Sequence, residues 1–547
     1  MTKLKIRCAA FLFCVAMVTA AAASAVPYID QPLVPTSAMP GGPGFTLTVT
    51  GTGFTSRSVV NWNGSPRATT FVSTSKLTAS ILASDIAVAS TPWVTVVNPS
   101  PGGGTSNTIF FQVMRPQPNA DFQPHACKGT PQVTGDFNGD GFLDMITYNY
   151  TYGSSSGMSV LLGNSKGTFT VAKTYAAAGF DDGLSNSIAT GDFNNDGKLD
   201  LAVNIGEGTT IWLGNGDGSF REGTSLAVDS YPAGVVAGDF NEDGNLDLIL
   251  VNDRNVSLFL GNGDGTFQPP VVFSAGIEAY GIALGDFNGD GHLDVAVIGY
   301  GISVLLGNGD GTFQNYIENY YVVGNDMAVG DFNGDGHLDV VIGNGSADNT
   351  LDIALGNGDG TFADPVSYKL AGTSGGVVVG DFNGDGILDV ATSSEAIVSV
   401  LNGRGDGTFE AGISSPSLYG KWPLVTGDFD GDGKLDLENG CENLQVAIAI
   451  HLSNSKLQFT SQQVGTTSPP KNVKVTNTGN LPATISSITT VGEFGETNDC
   501  PTTLDVFQSC TVAVTFTPTG RGSTGGELYV NAVSSPQMVE LIGVGTD

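Results

Sequence analysis

Oxygen-bearing side chains recur in a nine-residue pattern that occurs seven times in this chain. In its cleanest copy, Asp286-Phe-Asn-Gly-Asp-Gly-His-Leu-Asp294, positions 1, 3, 5 and 9 are Asp, Asn, Asp and Asp, and position 6 is Gly. Three carboxylates in one tight loop repel each other, so their ionised forms need a cation. Hard oxygen ligands at alternate positions, with Gly for a sharp turn, are what Ca²⁺ requires. The pattern therefore predicts a calcium-binding loop in each copy.

We number the copies as acidic loops 1 to 7 in chain order. The predicted calcium ligands are Asp136, Asn138, Asp140 and Asp144 in loop 1; Asp192, Asn194, Asp196 and Asp200 in loop 2; Asp239, Asn241, Asp243 and Asp247 in loop 3; Asp286, Asn288, Asp290 and Asp294 in loop 4; Asp331, Asn333, Asp335 and Asp339 in loop 5; Asp381, Asn383, Asp385 and Asp389 in loop 6; and Asp428, Asp430, Asp432 and Asp436 in loop 7. For a single copy the alternative is a plain tight turn, because Asp, Asn and Gly favour turns. Seven copies that keep every oxygen position favour metal binding.

The negative net charge of the chain argues against two classes of partner. Lys and Arg number 21 against 54 Asp and Glu, and the formal net charge is −33. A surface of this sign is repelled by nucleic acid and by anionic membranes. We therefore expect no nucleic-acid partner and no membrane surface as a partner.

The N-terminus is predicted to be a signal peptide at residues 1–25. Lys3, Lys5 and Arg7 precede an apolar run at residues 8–18, and Ala23-Ser-Ala25 has the small-residue form of a cleavage site. The run is too short to span a bilayer, and no other stretch is long enough. The sequence thus predicts cleavage near Ala25, no membrane insertion, and a secreted, extracellular or cell-surface protein.

A longer repeat unit surrounds each acidic loop. The loops begin 45 to 56 residues apart, which is the period of a propeller blade. We predict four strands a to d in each unit, with the acidic loop between a and b. Residues 261–265, Gly-Asn-Gly-Asp-Gly, recur between c and d and supply the positive φ angles of a hairpin. The alternative for this turn is that its Asp adds a carboxylate to the metal site.

The acidic loop and the Gly-Asn-Gly-Asp-Gly-Thr-Phe turn together resemble the FG-GAP/VCBS repeat family, whose metal-bearing blades also occur in integrin α-chains. The resemblance covers residues 119–455. It implies a β-propeller with calcium as cofactor, and seven loops imply seven blades. Asp121-Phe-Gln-Pro124 matches the start of a strand d, as in Thr266-Phe-Gln-Pro269, whereas the seventh unit lacks a strand d. We therefore predict that the N-terminal strand completes the seventh blade and closes the ring.

Both flanking regions alternate apolar and polar residues in short runs between turns, which is typical of sandwiches. Residues 27–115 contain Gly51-Thr-Gly-Phe54 and resemble the IPT/TIG immunoglobulin-like domains. Residues 456–547 contain Cys510-Thr-Val-Ala-Val-Thr-Phe516 and resemble the ASH-type (choice-of-anchor D) domain of bacterial surface proteins. The expected fold class is all-β: a seven-bladed β-propeller with an N-terminal and a C-terminal immunoglobulin-like β-sandwich.

Four cysteines remain after the predicted cleavage, which in an oxidising compartment favours two disulfides. Cys500 and Cys510 lie in one predicted sandwich at a separation suited to a short loop, and we expect them to pair. Cys127 and Cys441 both fall in the predicted seventh blade, on the side away from the acidic loops. Their pairing would lock the closure of the ring.

We found no sequence motif for catalysis. The four His residues have no neighbouring nucleophile motif, and no H-E-x-x-H or G-x-S-x-G occurs. We therefore predict a non-enzymatic, monomeric binding or adhesion module for an extracellular protein or glycan. The alternative is a carbohydrate-active protein, either a lectin or a polysaccharide-cleaving enzyme.

The predicted partner surface is the side opposite the acidic loops, where the b–c turns and d–a crossings lie. Exposed aromatic residues there would stack on sugar rings or anchor a protein; packing between blades is the alternative role for them. The candidates are Tyr148, Tyr150, Tyr152, Tyr231, Tyr280, Tyr320, Tyr321 and Trp422.

Overall fold

The computed structural model describes residues 25–99, 103–114, 122–125, 130–149, 157–164, 168–176, 187–206, 208–319, 322–344, 349–372, 374–394, 397–410, 413–416, 423–429, 433–438, 444–447, 450–454, 456–477, 483–505, 508–532 and 536–547. Across these residues the protein is all-β, and no helix occurs among them. Accordingly, this part of the chain contains no helix that is long and apolar enough to cross a membrane.

The N-terminal unit consists of two facing sheets and a short strand pair. Its strands are β1 Tyr28–Ile29, β2 Ser37–Ala38, β3 Phe45–Thr52, β4 Val59–Trp62, β5 Ser65–Pro66, β6 Thr69–Ser73, β7 Lys76–Ile81, β8 Trp93–Val97, β9 Ile109–Phe110 and β10 Gln112–Val113. The sheets have the orders β1-β3-β7-β6 and β5-β4-β8-β9, and β10 pairs with β2. Leu47 and Leu77 of the first sheet meet Val60 and Val94 of the second in one buried cluster. Alternate residues thus point into a shared core, as the alternating sequence predicts.

The central region is built from four-stranded antiparallel sheets that follow one another along the chain. We number them sheets 1 to 7, each containing the acidic loop of the same number. Their strands are β11 Phe122–His125; β12 Thr130–Gly135, β13 Asp144–Asn149, β14 Gly157–Leu162 and β15 Thr170–Ala176 (sheet 1); β16 Ile188–Gly191, β17 Asp200–Asn204, β18 Gly208–Gly214 and β19 Phe220–Ala227 (sheet 2); β20 Gly234–Gly238, β21 Asp247–Asn252, β22 Asn255–Phe259 and β23 Val271–Ser274 (sheet 3); β24 Ala279–Gly285, β25 Asp294–Gly299, β26 Gly301–Leu305 and β27 Ile317–Glu318 (sheet 4); β28 Asp326–Gly330, β29 Asp339–Gly343, β30 Thr350–Ala354 and β31 Val366–Lys369 (sheet 5); β32 Val377–Gly380, β33 Asp389–Ser393, β34 Ile397–Leu401 and β35 Ile413–Pro416 (sheet 6); and β36 Val425–Gly427, β37 Asp436–Glu438 and β38 Leu444–Ala447 (sheet 7).

The predicted completion of the last repeat is confirmed. Strand β11 pairs antiparallel with β38, so that Phe122 lies opposite Ala447, and sheet 7 has the order β11-β38-β37-β36. The N-terminal strand of the repeat region therefore supplies the outer strand of its C-terminal sheet. This pairing joins the two ends of the region and covers an edge that would otherwise stay open.

Neighbouring sheets stack face to face around a ring, as in a repeat β-propeller. The innermost strands touch in the order β12, β16, β20, β24, β28 and β32, and β12 also touches β36. Because each sheet lies between two others, its second strand is buried along its whole length, as in β21 and β25. The outer strand β23 is largely exposed. The second strands therefore read as continuous apolar runs rather than as alternating ones.

Glycine permits the closest approach between adjacent sheets. The Gly before each acidic loop faces the Leu at position 8 of the next loop, and a Cβ on Gly285 would stand 2.3 Å from Leu338 Cδ1. The same contact joins the last sheet to the first, since a Cβ on Gly427 would stand 2.5 Å from Leu143 Cδ1. A side chain at these glycines would push neighbouring sheets apart.

The C-terminal unit is a second two-sheet sandwich. Its strands are β39 Ile450–Leu452, β40 Lys456–Gln458, β41 Gln462–Gln463, β42 Lys471–Asn477, β43 Ala483–Val491, β44 Phe494–Asn498, β45 Thr503–Leu504, β46 Ser509–Phe516, β47 Gly522–Ala532 and β48 Pro536–Thr546. They form the sheet β39-β42-β46-β44 and the sheet β40-β48-β47-β43-β45, to which β41 adds by pairing with β48. Val473, Val512 and Leu541 lie in the core between them.

The boundary between the repeat region and the C-terminal unit differs from the predicted position at residues 455 and 456. Strand β39 pairs with β42, and Ile450 is buried in the C-terminal core. The unit therefore begins by Ile450, and His451 belongs to its first strand rather than to a turn of the seventh repeat. At the other end, the N-terminal unit includes Ala25 and Val26, which are both buried and lie two residues and one residue before the predicted start at residue 27.

Cys500 and Cys510 form a disulfide with a Cα–Cα distance of 4.9 Å. Cys127 and Cys441, the other predicted pair, lie outside the described residues. The short loop that the Cys500–Cys510 bridge closes limits its effect on the unfolded chain. We expect reduction to destabilise the C-terminal sandwich by roughly 2–3 kcal/mol in the chain-entropy view. Denaturant unfolding of that sandwich with and without reductant measures this, and an unchanged midpoint would contradict it.

Candidate functional site

Each acidic loop is anchored in its sheet at both ends. Position 1 directly follows the innermost strand, and position 9 is the first residue of the second strand, as in β24 and β25. Gly291, at position 6 of loop 4, has φ of +88°, a left-handed conformation that favours glycine. The two anchored ends and this sharp turn bring the polar side chains of a loop together on one edge of the ring.

The side-chain oxygens of a loop are turned inward by its own backbone. In loop 4, Asp286 Oδ1 accepts from Asp290 N at 3.1 Å, and Asp286 Oδ2 accepts from Gly291 N at 2.8 Å. Asn288 Oδ1 accepts from Asp290 N at 2.9 Å, and Asp290 Oδ1 accepts from His292 N at 2.9 Å. These bonds hold the oxygens of positions 1, 3 and 5 in fixed directions before any ligand arrives.

The Asp at position 9 is buried and bridges two turns. Asp294 is completely buried; its Oδ2 accepts from Phe287 N at 2.9 Å, and its Oδ1 accepts from Gly307 N at 2.7 Å. Gly307 lies in the c–d turn, so the carboxylate ties this turn to the acidic loop. The same pair of bonds occurs at Asp144, Asp200, Asp247, Asp339 and Asp389.

Burial makes the charged state of these carboxylates costly. Loss of hydration raises the pKa of Asp247 and Asp294 to about 8, against the partial opposition of their backbone hydrogen bonds. The same cause raises the pKa of Asp381, at position 1 of loop 6, to about 7. A cation held in the loop would offset this cost.

In donor chemistry the loops fit calcium, since every predicted ligand offers oxygen. In loops 1 to 6 all four predicted ligands lie within one anchored turn. In loop 7, Asp428 and Asp436 are described, whereas Asp430 and Asp432 lie outside the described residues.

Carboxylates alone do not complete such a site. Among the described residues, the only group of three His, Cys, Asp or Glu side chains with ligand atoms within 4.8 Å of one another is Asp499, Cys500 and Cys510, whose sulfurs form the disulfide. A calcium ion in an acidic loop would therefore also need the Asn oxygen and main-chain carbonyl oxygens.

The Asp of the c–d turn serves the turn itself. Asp264 Oδ1 accepts from Thr266 N at 3.0 Å and from Thr266 Oγ1 at 2.5 Å. These bonds hold the pKa of Asp264 below its usual value. They support the hairpin role of this turn over a role as a further metal ligand.

Position 2 of the acidic loops is a structural residue that the sequence analysis did not single out. It is Phe in all seven copies. Five of these rings meet, edge to face, the Phe that follows the c–d turn of the next sheet, with ring centroids 5.5 to 6.0 Å apart. The pairs are Phe137–Phe220, Phe193–Phe267, Phe240–Phe313, Phe287–Phe362 and Phe332–Phe409. Phe429 of sheet 7 meets Phe169 of sheet 1 in the same way at 5.9 Å. The invariance of Phe within the seven copies was the signal available in the sequence.

The backbone of the same Phe fastens neighbouring sheets as well. Gly360 N, in the c–d turn of sheet 5, donates to Phe287 O at 3.2 Å, and Gly311 N of sheet 4 donates to Phe240 O at 2.9 Å. An acidic loop therefore contacts the next sheet directly.

The N-terminal sandwich covers part of the acidic-loop edge. Its first residues contact four consecutive loops. Val26 N donates to Asp239 Oδ2 of loop 3 at 2.8 Å, and Asp286 N of loop 4 donates to the Asp30 carboxylate. Asp331 N of loop 5 donates to Gln31 O at 3.3 Å, and Ser37 Oγ donates to Gly384 O of loop 6 at 3.4 Å. Tyr28 packs against the apolar core of sheets 3 and 4, and Phe110 packs against the core around Phe382. Tyr28 and Gln31 also line one end of a central cavity of about 390 Å³.

At the opposite edge, tyrosines are exposed beside the b–c turns and d–a crossings. Tyr231 is 63% exposed and Tyr300 is 44% exposed. Tyr280 lies edge to face with Tyr300 at 5.6 Å, and its hydroxyl donates to Glu278 Oε1 at 3.2 Å. Tyr148 is buried and packs between sheets, which is the packing role considered for these aromatic residues, so it is not part of a partner surface. Tyr150, Tyr152, Tyr320, Tyr321 and Trp422 lie outside the described residues.

Comparison with solved structures returns proteins that align with part of this chain over most of their own length. An Agrocybe aegerita lectin, described as recognising non-reducing terminal N-acetylglucosamine, is 23% identical, with 60% of this chain and 90% of that chain covered and a TM-score of 0.40. An auxiliary nutrient binding protein from Bacteroides ovatus is 12% identical, with 77% and 97% covered and a TM-score of 0.34. A biofilm matrix protein of V. cholerae is 12% identical, with 73% and 88% covered and a TM-score of 0.39. No curated protein matches the sequence.

Family models match two parts of the chain. The HYDIN/CFA65/VesB-like Ig-like domain matches residues 449–542, which agrees with a C-terminal unit that begins by Ile450. The FG-GAP-like repeat matches six times, at residues 136–203, 192–250, 239–297, 286–342, 331–392 and 381–437. Together these six matches cover more than half of the chain. The protein therefore belongs to the FG-GAP-like repeat family.

Proposed function

We propose that this protein is a secreted or cell-surface binding module, in which a calcium-bearing seven-bladed β-propeller presents a surface to an extracellular protein or glycan. In this proposal it acts without catalysis and as a monomer, after cleavage of its leader near Ala25. The sandwiches on either side, of IPT/TIG and ASH type, act as spacers or further binding modules. The observation that carries the proposal is that the acidic-loop edge is partly covered from within the chain, which leaves the opposite, tyrosine-bearing edge for a partner.

Two sets of contacts support a ring of seven blades. The Gly–Leu contact between consecutive sheets recurs from sheet 7 to sheet 1 at Gly427 and Leu143. The Phe–Phe contact recurs there as well, at Phe429 and Phe169. Contacts that repeat around the ring and return to the first sheet are expected of a closed propeller.

A rigid ring suits recognition. Each of loops 3 to 6 bonds to its own sheet through the buried Asp at position 9, and loops 3, 4 and 5 also bond to the next sheet through the Phe at position 2. Side chains at the opposite edge are therefore held in fixed positions, which lowers the entropy lost on binding. Tyrosine contributes a large amphipathic surface at low entropic cost, and it stacks on sugar rings as well as on protein.

The first experiment separates the classes of ligand. The mature protein is applied in millimolar calcium to a glycan array and, in parallel, incubated with polysaccharides whose reducing and unsaturated ends are counted. Binding without product supports the binding module with a glycan ligand, and new chain ends would show the alternative, a polysaccharide-cleaving enzyme. Capture of an extracellular protein without glycan binding would place the protein among adhesion modules.

The second experiment tests the tyrosine edge. We expect Tyr280→Ala and Tyr300→Ala each to weaken binding of the ligand found above by about tenfold or more, because both rings are partly exposed, lie edge to face and form one surface. Affinity is measured by titration calorimetry. Met538→Ala is the control, since Met538 is 51% exposed and belongs to the C-terminal sandwich. Unchanged affinity in both tyrosine variants would place the partner surface elsewhere.

A further inference from the structure

The interface between the N-terminal sandwich and acidic loops 3 to 6 is rich in carboxylates. The contacts of the N-terminal sandwich involve position 1, a predicted calcium ligand, in loops 3, 4 and 5. In loop 6 they involve Gly384, which lies between two predicted ligands. Asp239 and Asp381, at position 1 of loops 3 and 6, are almost completely buried. An interface placed over carboxylates is costly unless positive charge is present, because burial removes their hydration.

Asp30 adds a further carboxylate to this interface. It is only 8% exposed, and a Cβ on Gly285, the residue before loop 4, would stand 3.6 Å from Asp30 Oδ1. Within the described residues Asp30 Oδ1 has no hydrogen-bond partner. The only charged side chain described as acting on this carboxylate is that of Asp286, which is also negative. A buried carboxylate with an unpartnered oxygen thus stands against the first residue of loop 4.

The remaining contacts favour docking whatever the state of the loops. Tyr28 and Phe110 bury apolar surface against the repeat region, and this burial does not depend on a metal. Asp30 accepts a hydrogen bond from Asp286 N, but the repulsion between the Asp30 and Asp286 carboxylates opposes docking, most strongly when loop 4 holds no cation. Whether apolar burial or the repulsion at Asp30 dominates therefore depends on whether loop 4 holds a cation.

We propose that calcium fastens the N-terminal sandwich to the propeller, with Asp30 as the residue that makes docking depend on the ion. A Ca²⁺ in loop 4 offsets the repulsion between Asp30 and Asp286, so the sandwich docks when the covered loops are loaded and separates when they are empty. This inference rests on the calcium binding proposed above and extends it to the arrangement of the domains. The N-terminal sandwich would thus depend on calcium although it has no acidic loop of its own.

The test compares domain arrangement with and without calcium in the full mature chain. Small-angle X-ray scattering is recorded in about 1 mM calcium and in excess chelator, and metal content is measured on the same samples. In the native protein we expect chelation to raise the radius of gyration by about 2 Å or more, because a compact body gains a displaced domain. In Asp30→Asn, recorded like the native protein below the melting transition found in chelator, we expect the compact value in both conditions, since the repulsion is gone.

Controls separate this role from a general loss of structure. Asp30→Ala is a second neutral variant in case Asp30→Asn folds poorly. Near-ultraviolet circular dichroism, to which buried Trp62 of the sandwich and buried Trp212 of sheet 2 both contribute, verifies that the two units are folded. Asp264→Asn neutralises an exposed carboxylate of a c–d turn and leaves every acidic loop unchanged, so it is expected to behave like the native protein. A native chain that binds calcium yet keeps its compact size in chelator would overturn this inference alone, as would neutral variants that expand as far as the native chain. A native chain that binds no calcium would overturn the proposed function as well.

Discussion

Removal of calcium is expected to lower the melting temperature of the propeller by more than about 10 °C. Extracellular calcium modules bind with dissociation constants of about 10⁻⁴ to 10⁻³ M. At roughly 1 mM calcium, a site at the tight end adds about 1.4 kcal/mol to folding by mass action. Seven independent sites would add about 10 kcal/mol, which is comparable with the net stability of a whole domain. The buried carboxylates at position 9, whose charge is costly in this fold, make the effect largest in the repeat region.

The measurement is differential scanning calorimetry of the full chain in calcium and in chelator. The transition of the C-terminal sandwich serves as an internal control, because this unit has no acidic loop and is expected to melt at the same temperature in both. The N-terminal sandwich is expected to shift in part, owing to its contacts with loops 3 to 6. If chelation leaves every transition in place, the acidic loops are turns without a metal role.

Substitution of a buried Asp at position 9 is expected to destabilise the propeller severely even without calcium. Asp294→Ala removes a carboxylate that accepts from Phe287 N and Gly307 N, and it leaves both N–H groups without this acceptor in a buried place. Each unsatisfied group costs about 1–3 kcal/mol. We therefore expect a loss of roughly 2–5 kcal/mol in the free energy of unfolding, measured in chelator so that metal binding does not contribute.

The matched control lies in the same sheet. Asp310→Ala removes an exposed carboxylate of the c–d turn that accepts from Thr312 N, where water replaces the lost acceptor. Its expected effect is within about 0.5–1 kcal/mol. Equal effects of the two substitutions would contradict the bridging role of Asp294 between the acidic loop and the c–d turn.

Local features of this protein follow from the sequence because they depend on residues close together in the chain. The acidic loops are readable from Asp, Asn and Gly at fixed spacing, since a Gly at φ of +88° and side chains that bond their own loop shape the turn. Closure by β11 was also readable, because residues 121–124 repeat the start of an outer strand and the last repeat lacks one. The Cys500–Cys510 pair was readable for the same reason, as the two residues lie ten apart.

Contacts between distant parts of the chain were decided only by the tertiary structure. Sequence spacing marked Asp294 as a metal ligand, but its bond to Gly307 depends on how strands β25 and β26 pair. The edge-to-face partner of Phe287 lies in the next sheet, and the burial of Tyr148 depends on stacking against sheet 2. The start of the C-terminal sandwich at Ile450 reflects pairing with β42, which no local pattern marks.

The position of the N-terminal sandwich is the clearest case of this division. Strand patterns predicted its two sheets, yet nothing in residues 25–38 marks them as the segment that crosses acidic loops 3 to 6. Val26, Asp30 and Gln31 are ordinary residues in the sequence, and they gain their partners only when the ring has closed and the sandwich has docked. Local sequence patterns determine the shape of turns and which residues of a strand are buried. Which distant residues then contact each other is decided by the packing of surfaces that come together only when the chain folds.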